Sequence, residues 1–212
     1  MTTRQLPRGL YAITDSKLLS PEQMVQAVAQ AIHGGAVMIQ YRDKGEDASR
    51  RLWEAQDLYN ICRPLGVPLI INDDVALAAQ VMADGVHLGR DDGDIAIARS
   101  VLGEQAIIGV SCYDQLDLAL AAEAAGADYV AFGSFYSSQV KPTAVRASLE
   151  LLQQAKQRLN IPVVAIGGIN ADNGAPLVAA GADMLAVINA VFGQADVASA
   201  AKLIAMLYEK NV

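Results

Sequence analysis

The 212-residue sequence lacks the features that mark membrane and secreted proteins. Polar residues or glycine interrupt each apolar run well short of the ~20 consecutive apolar residues that a membrane-spanning helix needs. The segment Met1–Gln5 lacks the apolar stretch of a signal peptide. The two cysteines, Cys62 and Cys112, have no metal-binding spacing, so we expect free thiols. These absences predict a cytoplasmic protein with no membrane partner.

Basic residues are also scarce: the sequence has 16 Lys and Arg against 23 Asp and Glu, which gives a net charge of −7. Nucleic-acid-binding domains carry a basic footprint, so we expect no nucleic-acid partner. Small anionic ligands stay compatible with this charge, because Arg42, Lys44 and Lys141 can act locally. Small-molecule substrates are therefore the expected partners, and a homo-oligomer is neither required nor excluded by the sequence.

What the sequence does contain is a regular alternation of two kinds of segment. Eight short apolar segments rich in Val and Ile are typical of strands buried on both faces of a parallel sheet. These predicted strands are Gly9–Thr14, Val37–Gln40, Leu69–Asn72, Val86–Leu88, Ile107–Ser111, Tyr129–Phe132, Val163–Ile166 and Leu185–Ile188. The predicted helices are Pro21–His33, Ala48–Arg63, Asp74–Met82, Asp94–Leu102, Gln115–Ala125, Leu149–Leu159, Asn173–Ala180 and Val197–Glu209.

This alternation predicts an α/β fold, a (β/α)8 TIM barrel that forms a single domain over residues 1–212. An open doubly wound sheet is the alternative, but it would need a glycine-rich turn after the first strand, where Thr14-Asp15-Ser16 stands. A glycine precedes the second, fourth, sixth and eighth strands. We expect Gly35, Gly85, Gly126 and Gly181 to end helices in the left-handed conformation.

Polar residues that suit phosphate binding follow the second strand. Gln40, Arg42 and Lys44 alternate, so an extended chain would place the three side chains on one side. Arg offers a planar fork for phosphate oxygens and Lys a mobile charge. A solvated loop with an ion pair to Asp43 or Glu46 is the alternative.

Carboxylates follow the third and fourth strands. In a parallel barrel these strand ends meet on one face, so Asp73 and Asp92 can share one Mg²⁺. We interpret Asp74 and Asp94 instead as helix caps. His87 lies inside the fourth strand, where a structural role is at least as well supported as a catalytic one.

A phosphate site is predicted where the seventh and eighth strands end. Gly167 and Gly168 allow close approach of the backbone to an anion, and Ile188 and Asn189 follow the next strand. The loop from Gly133 to about Ala147 is long and contains hydroxyls followed by Lys141, which suits a phosphate-binding lid.

The combined motifs resemble the thiamine phosphate synthase family over nearly the whole chain. The motifs that carry the resemblance are Gln40-Tyr41-Arg42-Asp43-Lys44, Asn72-Asp73-Asp74, Gly85-Val86-His87-Leu88-Gly89-Arg90-Asp91-Asp92, Gly109-Val110-Ser111 and Gly167-Gly168-Ile169. The family is a transferase family that joins hydroxymethylpyrimidine diphosphate to a thiazole phosphate, carboxylated or not, and releases diphosphate. The resemblance implies a Mg²⁺-assisted dissociative substitution without a protein nucleophile.

The resemblance also implies a role for each residue. The pyrimidine diphosphate would be held by Gln40, Arg42, Lys44, Asn72, Ser111 and Lys141. Of these, Arg42, Ser111 and Lys141 would be catalytic, with Ser111 in contact with either the pyrimidine or the departing diphosphate. Mg²⁺ would be held by Asp73 and Asp92, and the thiazole phosphate by Ser138, Gly168, Ile188 and Asn189.

The sequence departs from the family pattern at several positions. Ser134 and Ser137 replace two prolines of the lid, Val140 replaces a Thr, and Asn189 stands where many members have Ser. Tyr113 replaces the His of a usual Ser-x-His after the fifth strand. These changes leave the metal and diphosphate half of the site intact and affect the thiazole half.

Three other functions fit the same barrel: a thiazole tautomerase-like relative, a sugar-phosphate isomerase or decarboxylase, and a non-catalytic protein that binds thiamine phosphate. The first two do not need the combination of Gln40, Arg42, Asp73 and Asp92. The third would bind product without turnover.

Overall fold

The structure, a computed structural model, describes residues 5–90, 92–137 and 146–209. Eight parallel strands close into a barrel in sequence order, and the last strand pairs with the first. The strands are β1 (Gly9–Ile13), β2 (Ala36–Tyr41), β3 (Leu69–Asn72), β4 (Gly85–Leu88), β5 (Ile107–Tyr113), β6 (Tyr129–Phe132), β7 (Val163–Ile166) and β8 (Met184–Val187). The predicted barrel is confirmed.

Helices connect the strands and surround the barrel. They are α1 (Pro21–His33), α2 (Ala48–Cys62), α3 (Val75–Gln80), α4 (Ile95–Leu102), α5 (Leu116–Ala124), α6 (Leu149–Arg158), α7 (Ala175–Ala179), α8 (Asn189–Phe192) and α9 (Val197–Glu209), with a 3-10 turn at Arg63–Leu65. The predicted bounds lie within two residues of the observed ones. The four-residue α8 was missed, because one helical turn leaves no periodic pattern in a sequence.

Apolar side chains bury both faces of the strands, which explains their continuous hydrophobic runs. The inward-facing side chains form one cluster inside the barrel that includes Tyr11, Met38, Ile70 and Tyr129. The outward-facing ones pack under the helices in a second, larger cluster. A packed interior leaves the rim at the carboxyl ends of the strands as the place for a site.

The glycines before the even-numbered strands differ in their roles. Gly35, Gly126 and Gly181 have φ values of 101°, 95° and 106°, as predicted for left-handed helix ends. The prediction for Gly85 is wrong, because this residue lies inside β4. A Cβ there would lie 1.8 Å from the carbonyl oxygen of Ile107, so glycine is needed for close approach of β5.

Within the described residues, no helix combines the length and the apolar character that crossing a membrane requires.

Candidate active site

Two adjoining cavities open at the carboxyl ends of β2 to β5. The smaller, about 170 Å³, is lined by Arg42, Lys44, Asn72, Asp73, His87, Gly89, Arg90, Asp92, Ser111 and Tyr113. The larger, about 460 Å³, shares Lys44, Asn72, Asp73 and Asp92 with it. Six residues that the sequence predicted separately therefore line one depression: Arg42, Lys44, Asn72, Asp73, Asp92 and Ser111.

The two carboxylates predicted to bind metal are neighbours in this depression. Asp73 has a left-handed backbone with φ 65°, and its amide donates to the carbonyl of His87 at 2.9 Å. Asp92 accepts a hydrogen bond from the amide of Gly89 at 2.9 Å. Burial, followed by the adjacent carboxylate of Asp73, raises the pKa of Asp92. Like charges held this close favour a cation between them.

The donor set of this pair fits Mg²⁺. Across the described ranges, no group of three or more His, Cys, Asp or Glu side chains suits a metal ion. Mg²⁺ commonly takes one or two protein carboxylates and completes its shell with water and substrate phosphate. Lys44 forms an ion pair with Asp73 and supplies a further positive charge beside the pair.

Two other aspartates cap helices, as the sequence predicted. Asp74 accepts from the amide of Leu77 at 2.9 Å at the start of α3. Asp94 accepts from the amide of Ala96 at 2.6 Å at the start of α4. Their carboxylates satisfy free amides of the first helical turn.

The basic residues after β2 are held by contacts from neighbouring elements. The guanidinium of Arg42 lies 3.2 Å from the carboxylate of Asp15, and its amide donates to the hydroxyl of Thr14 at 3.0 Å. Arg42 and Lys44 both line the smaller cavity. Gln40 is buried and lies below it, in the barrel interior.

A buried polar network on the outer side of β2 supports this loop. Tyr41 donates to Glu54 at 2.6 Å, and Arg50 bridges Glu54 and Asp43. Burial opposes ionisation of Asp43, but the amide of Gly45 and the guanidinium of Arg50 outweigh it and lower the pKa of Asp43. The network thus fixes the residue between Arg42 and Lys44 as a buried anion.

A chain of hydrogen bonds crosses the barrel interior below the cavity. Gln40 Nε2 donates to the Tyr11 hydroxyl at 2.7 Å, and the hydroxyls of Tyr11 and Tyr129 lie 2.8 Å apart. Tyr129 lies 3.0 Å from Nδ1 of His87, whose Nε2 lies 2.8 Å from Ser111 Oγ. Both ring nitrogens of His87 are thus engaged inside the fold.

Burial favours the neutral forms of the three titratable residues in this chain, His87, Tyr11 and Tyr129. It lowers the pKa of His87 to about 4, against an opposing effect of Asp92, and raises the pKa of both tyrosines. Sequence reasoning did not select Tyr11 or Tyr129. The signal for them is a phenol at inward-facing positions of otherwise apolar strands.

The predicted phosphate residues lie on the same rim, outside the lining of the two cavities. Gly167 and Gly168 have φ values of 103° and 65°. A Cβ on Gly168 would lie 2.5 Å from the carbonyl oxygen of Ser137, so the pair also admits the loop after β6. Ile188 packs against the barrel interior, and the exposed Asn189 begins α8.

Part of the predicted lid lies outside the described residues, namely Ser138, Val140 and Lys141. Before it, the Ser134 hydroxyl donates to the carbonyl of Tyr136 at 2.7 Å. Ser137 pairs with Arg146 on the other side of the segment. Two of the serines that depart from the family pattern are therefore engaged within the loop itself.

Comparisons with known proteins show the family of this chain. The family model described as thiamine monophosphate synthase matches residues 10–191. A thiamine-phosphate synthase from Methylococcus capsulatus is 52% identical over 95% of this chain and 89% of its own. One from Nitrosococcus oceani is 53% identical over 92% of this chain and 89% of its own.

A solved structure agrees with both the fold and the family. The thiamine phosphate pyrophosphorylase from Pyrococcus furiosus superposes with a TM-score of 0.85 at 38% identity, covering 95% of this chain and 96% of its own. A geranylgeranylglyceryl phosphate synthase from Thermoplasma acidophilum, at 18% identity and a TM-score of 0.72, shares the barrel alone. On the family match and these relatives, the chain belongs to the thiamine monophosphate synthase family.

Proposed function

We propose that this chain joins hydroxymethylpyrimidine diphosphate to a thiazole phosphate and releases diphosphate. The single observation that carries the proposal is the cluster of Asp73, Asp92, Arg42 and Lys44 in one depression at the carboxyl ends of the strands. This arrangement of two carboxylates and two cations suits a diphosphate with its metal ion, and it occurs in a chain of the matching family.

The proposed reaction is a substitution at the exocyclic methylene carbon of the pyrimidine. The bond from this carbon to the diphosphate oxygen breaks, with the electron pair leaving on diphosphate, and the thiazole nitrogen then forms the new bond to carbon. The electron-rich aminopyrimidine stabilises the cationic carbon between the two events. No protein nucleophile is required, so positioning and exclusion of water carry the catalysis.

The proposed roles follow from charge and position. Arg42 and Lys44 would hold the diphosphate oxygens, Asn72 would donate a hydrogen bond, and Ser111 would contact the departing group. Their fixed donors would stabilise negative charge as the bond breaks. Gln40 would bind the pyrimidine from the barrel interior, and Lys141 would add a further cation from the lid.

Asp73 and Asp92 would hold Mg²⁺. When bound, the ion would neutralise charge on the diphosphate and make it a better leaving group. The adjacency of the two carboxylates supports this assignment: burial and then the neighbouring Asp73 raise the pKa of Asp92, and a divalent cation would offset the repulsion between the pair.

The thiazole phosphate would bind after β7 and β8. Gly168, Ile188 and Asn189 come from strand ends that commonly hold phosphate in such barrels. Ser138 would complete this half from the lid. The proposed cytoplasmic location follows from the sequence features above, which also leave the oligomeric state open.

The test is an assay of the purified protein with both substrates, with and without Mg²⁺, that measures thiamine phosphate and diphosphate together. We expect equal amounts of both products, and their loss when Mg²⁺ is chelated. Arg42→Gln should lower turnover at least tenfold at constant Mg²⁺, whereas Arg158→Gln on α6 should not change it.

Two outcomes would overturn the proposal. Binding of thiamine phosphate without turnover would favour a non-catalytic binding protein. Conversion of a thiazole phosphate alone, without the pyrimidine and without Mg²⁺, would favour a tautomerase-like activity. Both results require that the protein be folded and the substrates intact in the same sample.

A further inference from the structure

The buried chain from Gln40 to Ser111 joins two residues to which the proposed function gives substrate contacts. Its four links measure 2.7, 2.8, 3.0 and 2.8 Å, all within normal hydrogen-bond range. Tyr11, Tyr129 and His87 are the three residues between its two ends. The resemblance to the family implies a binding role for none of these three residues.

Packing fixes the geometry of these intermediate residues. The ring of Tyr129 meets that of Tyr11 edge-on at 6.0 Å between centroids and stacks on His87 at 5.6 Å. Gly109 makes room for Tyr129, since a Cβ there would lie 1.9 Å from Tyr129 Cζ. With rings held this closely, the hydroxyls have little freedom to seek other partners.

The direction of every proton in the chain follows from its first link. Gln40 Nε2 is a donor, so the Tyr11 oxygen accepts, and Tyr129 is the partner that remains for the Tyr11 proton among the described residues. Tyr129 must then donate to Nδ1 of His87. This leaves the His87 proton on Nε2, where it is donated to Ser111 Oγ.

Donation in the opposite direction, from Ser111 towards Gln40, can satisfy every link only if the Gln40 amide is rotated so that Oε1 faces Tyr11. Oε1 would then accept from Tyr11, each later link would reverse, and Ser111 would have to donate its proton to His87. In that state Ser111 presents only lone pairs to the cavity. With Nε2 on Tyr11, the Ser111 proton is free to point at an anion.

We propose that Tyr11, Tyr129 and His87 are positioning residues that couple the orientation of the Gln40 amide to the hydrogen-bonding role of Ser111. With Nε2 on Tyr11, Ser111 donates to the substrate diphosphate, a step that rests on the proposed function. The same amide orientation keeps Oε1 and the second Nε2 proton of Gln40 available. That edge pairs with a ligand offering an adjacent donor and acceptor, as an aminopyrimidine does.

The coupling links recognition of the pyrimidine by Gln40 to the hydrogen bond that Ser111 makes with the diphosphate. A ligand that forces the Gln40 amide to turn over would convert Ser111 from a donor to an acceptor and set its lone pairs against the diphosphate. The site would therefore discriminate against pyrimidines whose donor and acceptor are exchanged, although Gln40 itself could bind either order.

The first test measures the direction of the hydrogen bonds, without substrate, from the position of the His87 proton. The chain has two histidines, His33 and His87, so ¹⁵N NMR of the imidazoles at neutral pH is simple to assign with His33→Gln. We expect His87 to carry its proton on Nε2. A proton on Nδ1 would overturn the proposed direction, whatever the outcome of the activity assays.

The second test is a double-mutant cycle on turnover. Ser111→Ala should lower kcat about tenfold or more, the usual cost of a lost hydrogen bond to a charged group. Tyr129→Phe should lower kcat about tenfold in the wild-type background, but less than twofold when Ser111 is already Ala. Tyr11→Phe should behave in the same way, which keeps the test decisive if one variant folds poorly.

Tyr208→Phe is the matched control. Tyr208 is a half-buried tyrosine on α9 whose buried hydroxyl has no hydrogen-bond partner among the described residues, and it lines neither cavity. This variant should leave kcat unchanged. An equal loss from Tyr129→Phe with and without Ser111 would mean a merely structural role and overturn the coupling. Inactive wild-type protein would instead count against the proposed function. The NMR experiment would still test the direction of the hydrogen bonds, because it needs no turnover.

Discussion

Burial acts in opposite ways on the protonation of two residues at the rim. Asp92 has a raised pKa, first because of burial and then because Asp73 lies beside it. His87 has a pKa lowered to about 4, because burial disfavours its charged form. In both cases burial favours the neutral form of the side chain. We therefore expect the ionisation of Asp92 to respond to a bound cation and that of His87 to affect stability in acid.

Replacing Asp92 by Asn should separate charge from shape. Asn keeps an oxygen for the Gly89 amide but removes the repulsion with Asp73. We expect the metal-free protein to be no less stable, turnover to fall at least tenfold, and added Mg²⁺ to restore part of it. Measurements of kcat over a range of Mg²⁺ concentrations check this.

Asp94→Asn serves as the control for Asp92→Asn, since Asp94 caps α4 and Asn also caps helices. This variant should keep the wild-type Mg²⁺ dependence. An Asp92→Asn enzyme with wild-type turnover and Mg²⁺ dependence would rule out Asp92 as a metal ligand.

The lowered pKa of His87 predicts a loss of stability in mild acid. Below pH 6.5 the unfolded chain binds a proton at this residue, whereas the folded protein stays neutral there until about pH 4. The free energy of unfolding should therefore fall as pH drops, by about 2 kcal/mol from this residue at pH 5. Urea unfolding at pH 7 and pH 5 measures it.

His87→Asn isolates this effect from carboxylates that titrate in the same range. The variant should lose less stability between pH 7 and pH 5 than the wild type, even if it is less stable at both. An identical pH dependence in the two proteins would contradict a neutral, buried His87.

At the scale of the secondary-structure elements, close contact between strands determines which residues can reach the rim. β5 carries Gly109 where Tyr129 of β6 crosses it, and two residues later the same strand carries Ser111. Arg50 of α2 pairs with Asp43 in the loop after β2, and Glu54 of α2 accepts from Tyr41 at the end of β2. The site thus depends on residues such as Gly109, Arg50 and Glu54, to which the proposed function gives no substrate contact.

Gly109→Ala should disturb the site through Tyr129. The added methyl group would lie 1.9 Å from Tyr129 Cζ, so the ring must move. We expect about 1–3 kcal/mol lower stability, the usual cost of overpacking, together with reduced turnover. Thermal unfolding and kcat, measured on the same preparation, check both.

The comparison for Gly109→Ala is the same substitution in a Tyr129→Leu background, where the ring that the added methyl group meets is absent. There Gly109→Ala should cost much less stability than in the wild type. An equal loss in the two backgrounds would show that the contact with Tyr129 is not the cause.

At the scale of the whole molecule, the closed barrel combines charges that the sequence keeps far apart. The protein has a net charge of −7, yet Arg42 and Lys44 face Asp73 and Asp92 in the same depression. An anion alone meets both signs there, and so does a cation alone. The metal–diphosphate pair that we propose carries both signs and would complement both halves of the depression.

Mg²⁺ and inorganic diphosphate should therefore stabilise the whole fold together far more than either does alone. A ligand at about 100 times its Kd adds about 2.7 kcal/mol, or several degrees in Tm for a domain of this size. Thermal scans with each ligand and with both measure the effect. Mg²⁺ with inorganic sulfate is the control, and a purely additive response would argue against a shared site.

The sequence by itself determined the barrel, the strand ends and most residues of the rim. Strands buried on both faces need continuous apolar runs, so the eight runs could be located, and a parallel barrel brings their carboxyl ends to one face. Arg42, Lys44, Asp73, Asp92 and Ser111 follow from that rule alone, since each stands at such an end. The helix caps Asp74 and Asp94 were likewise local features.

Only the tertiary structure decided which side chains meet across the barrel. The chain from Gln40 through Tyr11, Tyr129 and His87 to Ser111 joins residues of five strand regions, up to 118 positions apart at one link. Local sequence carries no record of such contacts, because they arise from strand register and ring packing. The same holds for Gly85, whose role depends on a neighbouring strand rather than on the helix before it.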